Sequence, residues 1–427
     1  MVICCYQNLV ISKMDIIIGA GISGLSYAFF KGGNDWDIVE AENEVGGYCR
    51  TTKRNGFVWD YSGHFFHFQD AHIREILMER LIAENKVIEV EKATNIKYKK
   101  LFVDYPFQTN IHQLDKEEFI DCLVDLFSTG EKEYSNFKEM LYCKFGKSIS
   151  EKFLIPYNEK LYACDLNILD KNAMGRFFPY AEREQIVLNF RRHENKSYNS
   201  SFTYPIEGAI EYINELVHRL PTEQIKTRCK VVKILSEKKI VVLANGEERH
   251  YDRLISTMPF PQLLELTGID YNRDCYSWNK VLVFNIGFDS KGPITDKHWI
   301  YFPERKYCFY RVGFYDNILN QNRTSVYVEI GFGKTDVIKP EAWKERVMAD
   351  LLKAGLISEN QKVVDYEAII MNPAYVHITD ESIVDVKKKK LLLAQNDIYS
   401  IGRYGSWTYC SIEDNIKEAR TLAESLN

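Results

Sequence analysis

At 427 residues, 45% of them hydrophobic and 27% charged, the chain is too long for one ordinary core, and two or three domains are expected. A net charge of −5 gives no reason to expect nucleic acid, and the one basic run, Lys387 to Lys390, reads as a solvated turn. The ten cysteines form no C-x-x-C pair and no apolar run reaches the roughly eighteen residues of a membrane span, so a reduced, cytoplasmic protein without an integral membrane segment is expected.

Met1 to Lys13 is too short for a secretory signal and reads as an extension ahead of the first strand. Asp15 to Ile18 is a buried-strand run that feeds into Gly19-Ala-Gly21-Ile-Ser23-Gly24 and a helical pattern from Leu25 to Phe30. In this fingerprint the first glycine permits the tight turn, the second lets backbone approach a pyrophosphate, and the third lets helix pack closely on strand. The helix N-terminus then offers unpaired N–H groups and a positive dipole end to the phosphates. A second strand, Asp37 to Glu40, ends on an acid suited to ribose hydroxyls. Strand, glycines, helix, strand and acid in this order predict a dinucleotide site. Directly after the acid come Gly46-Gly47 and Arg50. Here the sequence resembles the FAD-containing amine-oxidase superfamily, whose second glycine motif runs under the same dinucleotide. The resemblance implies FAD rather than NAD.

An Asn55-Gly56 turn leads into a strand and a loop bearing His64 and His67. Their i, i+3 spacing suits a metal pair, but no third ligand is in view, so a flavin-adjacent loop and no metal are expected. Residues 115 to 192 read as mostly helical, with a break at Ser128-Thr-Gly130. From Lys230, two strand patterns, an Asn245-Gly246 turn and Arg253 to Pro259 read as a meander. Alternating strands follow over 278 to 372, with one helix near Glu341 to Ala354. The chain closes on an amphipathic helix to Leu426 with Ser411 as N-cap and acids in its first turn. A helix end aimed at the flavin would stabilise negative charge on it when reduced; a plain capping helix is the alternative. The fold class expected is α/β. A discontinuous Rossmann-like FAD-binding domain spans 14–104, 203–275 and 388–427, as in the superfamily resembled. A mainly helical substrate-covering domain takes 105–202, and an antiparallel-sheet substrate domain takes 276–387.

Several motifs spread over nearly the whole chain together resemble the UDP-galactopyranose mutase family, particularly its eukaryotic form. They are Tyr105-Pro-Phe-Gln108, Pro156-Tyr-Asn158 with Tyr162, Gly175-Arg176, Phe202-Thr-Tyr-Pro-Ile-Glu-Gly208, Trp299-Ile-Tyr301, Phe309-Tyr-Arg311 and Gly402-Arg403 through Tyr409. The resemblance implies a redox-neutral contraction of a nucleotide-linked pyranose to a furanose, run by reduced FAD through a flavin N5–sugar adduct. It implies Arg176 and Arg311 as a diphosphate clamp, since two guanidinium forks suit such a leaving group. Tyr301, Tyr375 and Tyr409 would donate to the same oxygens. Tyr105, Phe107 and Gln108 would form the uridine pocket, with Asn158, Tyr162 and Trp299 in the same wall. Val232, Gly402, Arg403 and His64 would lie against the cofactor. Glu413 stands where the family has an asparagine near flavin and sugar, and Ser62-Gly-His64 replaces a Gly-Gly-His. The implied partners are a nucleotide sugar and a reductant such as NAD(P)H or a flavin reductase, with an oligomer possible.

The main rival is a true FAD oxidoreductase of the amine oxidase or protoporphyrinogen oxidase type. It shares the fingerprint and glycine pair but has no use for a diphosphate clamp. A third reading is a non-catalytic, redox-sensitive flavoprotein.

Overall fold

The computed structural model describes residues 13–130, 133–191 and 201–426. Five parallel strands form its first sheet, in the spatial order Ile398–Ser400, Arg253–Ser256, Asp15–Ile18, Trp36–Val39, Ile225–Lys226. Asp15–Ile18 is buried at every residue, as a central strand covered on both faces must be. Its one charge is matched inside the sheet, where Asp15 accepts from Arg253 Nε at 2.6 Å and from the Tyr27 hydroxyl at 2.7 Å. Helices Ile22–Lys31 and Ile412–Leu426 pack together on one face of this sheet. The second helix turns Ile416, Ala419 and Ala423 inward, and the small alanines let the two axes come close.

A second, larger sheet runs Val363–Met371, Ser277–Phe288, Ser325–Gly333, Arg311–Phe314, Trp299–Tyr301, Thr94–Tyr98, Leu101–Asp104. All its pairings are antiparallel except that of Trp299–Tyr301 with Thr94–Tyr98, and Val376–His377 adds to the start of the long Ser277–Phe288 strand. Helices Lys116–Ser128, Phe137–Ile149 and Ile155–Tyr162 cover one side of it. Their aromatic residues, Phe137, Phe145, Phe153 and Tyr162 among them, share one core with Tyr310 and Tyr327 of the sheet. The expected α/β architecture, with a parallel sheet and a separate, mainly antiparallel one, is therefore the observed one.

Three local expectations change. Residues 94 to 104, expected in the cofactor domain, instead form two strands that hydrogen-bond into the large sheet. Arg253–Ser256 leaves the meander, which is only Val231–Leu235, Ile240–Leu243 and Glu248–His250, and joins the parallel sheet beside Asp15–Ile18. Its four buried residues fit that central position better than an antiparallel edge. Lys387 to Lys390 lie not in a turn but within the Asp380–Ala394 helix, whose N-cap Thr379 accepts from Ser382 N at 3.0 Å. The Ser128 break, the helix at Pro340–Lys353 and the closing helix fall where the sequence places them. Ser411 caps that last helix, accepting from Asp414 N at 3.1 Å. Residues 1–12 of the expected extension lie outside the described residues.

Candidate cofactor and substrate site

A cavity of about 590 Å³ runs from the first glycine turn to the large sheet. At its start the Gly19 backbone is left-handed, at φ +101°, and a Cβ there would meet Thr257 Oγ1 at 2.3 Å. A Cβ on Gly24 would meet the Gly19 carbonyl oxygen at 2.0 Å, so the close helix-on-strand contact needs glycine. Gly21 N-caps the Ile22–Lys31 helix with no side chain to satisfy the first amides. It faces Gly47 of the second glycine pair across backbone alone, the built Cβ of Gly21 lying 3.9 Å from the Gly47 Cα. A helix end with open N–H groups and two bare backbones is a diphosphate seat. Gly46 and Arg50 also line the cavity, and Arg50 Nε donates to the Gly47 carbonyl at 2.8 Å.

Glu40 lines the same end. Its Oε2 accepts from Ala20 N at 2.7 Å and its Oε1 from Glu42 N at 2.9 Å, which fixes the carboxylate for ribose hydroxyls. Val232 does not reach it. The Val231–Leu235 strand carries a register shift between Val231 and Lys233 that turns both Val232 and Lys233 outward, and Val231 lines the cavity instead.

At the far end the wall is made by His64, Tyr310, Arg311, Tyr375, Arg403 and Tyr409. Arg311 is partly buried and grips Glu329 with Nε–Oε2 at 2.5 Å and Nη2–Oε1 at 2.7 Å. Burial opposes its charge, but Glu329 outweighs that and holds its pKa well above the ordinary value. Arg403 lies over the rings of Tyr409 and Tyr375, at 4.6 and 5.1 Å. Its Nη1 donates to the Cys410 carbonyl at 3.2 Å, while its Nε has no partner among the described residues. The hydroxyls of Tyr310 and Tyr327 are likewise buried without one. Burial pushes the phenols of Tyr301 and Tyr375 above their ordinary range, so at neutral pH both are O–H donors. Burial pushes His64 down to about 4. Its imidazole is therefore neutral, with Nδ1 at 3.1 Å from the Ser62 carbonyl and Nε2 left as an acceptor.

Gly402 stands beside Ser23, whose Oγ is 3.2 Å from Asn415 Oδ1. Asn415 also accepts from Arg403 N at 2.7 Å and lines the cavity. Glu413 points elsewhere. On the other flank of the closing helix, its Oε1 accepts from the amides of Gln69 and Asp70 at 2.8 and 2.7 Å, and Lys417 pairs with it at 3.0 Å. It latches the start of the Ala71–Ala83 helix and does not line the large cavity. Two positions along a helix is about 200° of turn, so asparagine and acid face apart.

The expected substrate residues divide. Tyr105 packs on Tyr301 at 5.2 Å, Tyr157 on Tyr301 at 5.1 Å, Tyr375 on Tyr409 at 5.8 Å and Tyr162 on Tyr375 at 5.9 Å. Trp299 Nε1 donates to the Tyr301 hydroxyl at 3.0 Å. These rings form one aromatic wall, in which the Tyr162 hydroxyl and Asn158 Oδ1 are buried without a partner among the described residues. Phe107 and Gln108 are fully buried, Phe107 against Phe153 and Gln108 with its amide nitrogen on the Pro179 carbonyl. They sit in the core beneath that wall and present no face to a base. Arg176 does not line the large cavity. It is half-exposed and paired with Asp414, Nη2–Oδ1 at 2.5 Å, so the two expected clamp arginines stand apart. Among the described residues no cluster of His, Cys, Asp and Glu is placed to hold a metal ion.

Sequence reasoning missed Glu329 and Asn415. Glu329 is a lone carboxylate in the apolar run Ser325-Val-Tyr-Val-Glu-Ile, which is the signal that marks it. Asn415 shares the buried side of its helix with Ile416 and Ala419 and is equally out of place there.

Diphosphate seat, fixed ribose acid and unpartnered buried donors fit a flavin dinucleotide. The flavin-containing amine oxidoreductase family matches residues 30–368, and the chain belongs to that family. Its cofactor is FAD, and the family is one of enzymes. Among solved structures it is similar to a reduced UDP-galactopyranose mutase, at 24% identity and a TM-score of 0.90 over 98% of this chain and 94% of that one. It is also similar to a putative protoporphyrinogen oxidase from Exiguobacterium sp. 255-15, at 16% identity and a TM-score of 0.77 over 97% and 98%. A coproporphyrinogen III oxidase of Bacillus subtilis is 21% identical over 67% of this chain and 68% of that protein. At these identities the solved structures establish the fold. No helix among the described residues is long and apolar enough to cross a membrane.

Proposed function

We propose that the protein is a nucleotide-sugar mutase converting UDP-galactopyranose, or a related activated pyranose, to its furanose form without net oxidation. The observation that carries this reading is the far wall of the cavity, where two guanidinium groups and neutral tyrosine donors converge. The carboxylate there, Glu329, is already neutralised by Arg311. Such a wall receives an anionic leaving group and offers no counter-charge to an alkylammonium substrate.

When bound and reduced, FAD supplies a nucleophilic ring nitrogen for the anomeric carbon of the sugar. The residues supply placement and charge. Arg403 lowers the cost of negative charge at that end of the cavity, Arg311 shares its charge with Glu329, and Tyr375 and Tyr409 donate to oxygens there. Neutral His64 presents an acceptor to a ring or sugar N–H or O–H. The aromatic wall from Tyr105 to Tyr162 holds the nucleoside, with Arg176 reaching the diphosphate from outside. A reductant such as NAD(P)H is needed to prime the cofactor.

The porphyrinogen relatives favour a second reading, because arginines also suit propionates. Incubation of the dithionite-reduced protein with UDP-galactopyranose, UDP-N-acetylgalactosamine and dTDP-fucopyranose, followed by product separation, tests the proposal. A furanose product from one of them is expected. No furanose from any, together with oxidation of coproporphyrinogen by the oxidised protein, would move the assignment to an oxidase.

A further inference from the structure

We infer that Asp414 is a built-in competitor of the substrate's diphosphate: it holds Arg176 in an ion pair that the nucleotide displaces, and so tunes how tightly nucleotide is kept. The inference rests on the mutase reading above.

Arg176 belongs to the short Gly175–Phe177 turn, and Asp414 to the first turn of the closing helix. The pair therefore joins the substrate-covering region to the cofactor-binding one. Phe177, next to Arg176, touches the ring of Tyr409 at 5.2 Å, and the Arg176 guanidinium lies 4.9 Å from the Phe177 ring. Tyr409 borders both the large cavity and a smaller one of about 150 Å³ lined also by Phe177 and Ser411. Arg176 Nη2 is 3.5 Å from Ser411 Oγ, so the guanidinium stands at the rim of this smaller cavity, one wall away from Arg403.

The two oxygens of Asp414 are divided between two tasks. Oδ2 accepts from Ser411 N and Ser411 Oγ, each at 2.9 Å, which closes the helix cap. Only Oδ1 meets Arg176, while Gln69 Oε1 takes Nη1 at 3.2 Å. Among the described residues, one carboxylate oxygen and a neutral amide thus stand where a diphosphate offers two adjacent anionic oxygens to the same planar fork. Arg176 and Asp414 are both partly solvent-exposed, with 39% and 29% of their side-chain surface open, so exchange needs no opening of the core. A partner that is adequate but inferior lets the enzyme bind nucleotide and still release the product.

Asp414→Asn tests this, because asparagine retains the oxygen that caps the helix and removes only the charge. With the FAD-loaded protein, UDP affinity should rise about two- to fivefold in Asp414→Asn, the scale of a half-exposed ion pair. Uridine affinity should be unchanged. Arg176→Ala should weaken UDP binding and, in the double variant, abolish the gain from Asp414→Asn. An Asp414→Asn protein that keeps its flavin spectrum and binds UDP no tighter than the parent overturns the inference, as does a gain that persists without Arg176. Either result leaves the mutase reading standing if the parent binds UDP. Absence of UDP binding in the parent and in Asp414→Asn alike overturns both.

Discussion

Arg311 and Glu329 are the most consequential pair in the far wall, since the carboxylate is buried, the guanidinium is partly buried and each neutralises the other. Arg311→Ala leaves a buried carboxylate unpaired and should cost about 3–5 kcal/mol of stability. Arg311→Met with Glu329→Gln should restore most of that loss while leaving nucleotide binding impaired, which separates the structural role from the binding one. Thermal unfolding and UDP titration of the same samples decide it. A double variant as unstable as Arg311→Ala would mean that the pair is held for some other reason. Histidines set a pH dependence. Burial depresses both His64 and His298 to about 4, against roughly 6.5 in an unfolded chain. As pH falls from about 6.5 toward 4, the unfolded chain takes up protons that these folded imidazoles refuse, so their contribution to stability is present above that window and is lost across it. His298 Nδ1 also accepts from Ala93 N, a bond that protonation removes. The unfolding midpoint should drop over this range, and His64→Gln and His298→Asn should each flatten the drop. Residue-level roles were legible where a motif fixes backbone, as at Gly19, Gly24 and Glu40. They were not where side-chain direction hangs on one bulge or one helical step, as at Val232 and Glu413.

The closing helix carries two opposite attachments that its sequence does not distinguish. Glu413 on one flank receives the amides that begin the Ala71–Ala83 helix, and Asn415 on the other receives Arg403 N and Ser23 Oγ at the cavity. Glu413→Ala strands two N–H groups and should cost about 1–3 kcal/mol without reducing flavin occupancy. Asn415→Ala should lower flavin occupancy while costing less stability. Absorbance of the purified proteins and their unfolding midpoints check the contrast, and flavin loss in Glu413→Ala alone would return that residue to the cofactor site. Element existence was readable from apolar period. Pairing was not: Thr94–Tyr98 and Arg253–Ser256 have strand patterns that fit either sheet, and only the tertiary register chooses.

At the scale of the molecule, the glycine turns at the edge of the parallel sheet line one end of the cavity and residues of the large sheet line the other. Both were foreseeable in outline, because the glycine fingerprint and the alternating strands lie far apart in the sequence and keep their own periodicities. The surroundings of the two expected clamp arginines were not legible: the structure sets Arg176 and Arg311 apart, and Asp414 and Glu329, the carboxylates that pair with them, carry no signature that ties them to those arginines. Redox neutrality separates a mutase from an oxidase most directly. The protein should be reduced anaerobically, freed of excess reductant and given UDP-galactopyranose, with furanose product counted against flavin. Many furanose molecules per flavin, with the flavin still reduced at the end, is the predicted result. No furanose, or no more than one product per flavin with the flavin left oxidised, would contradict it.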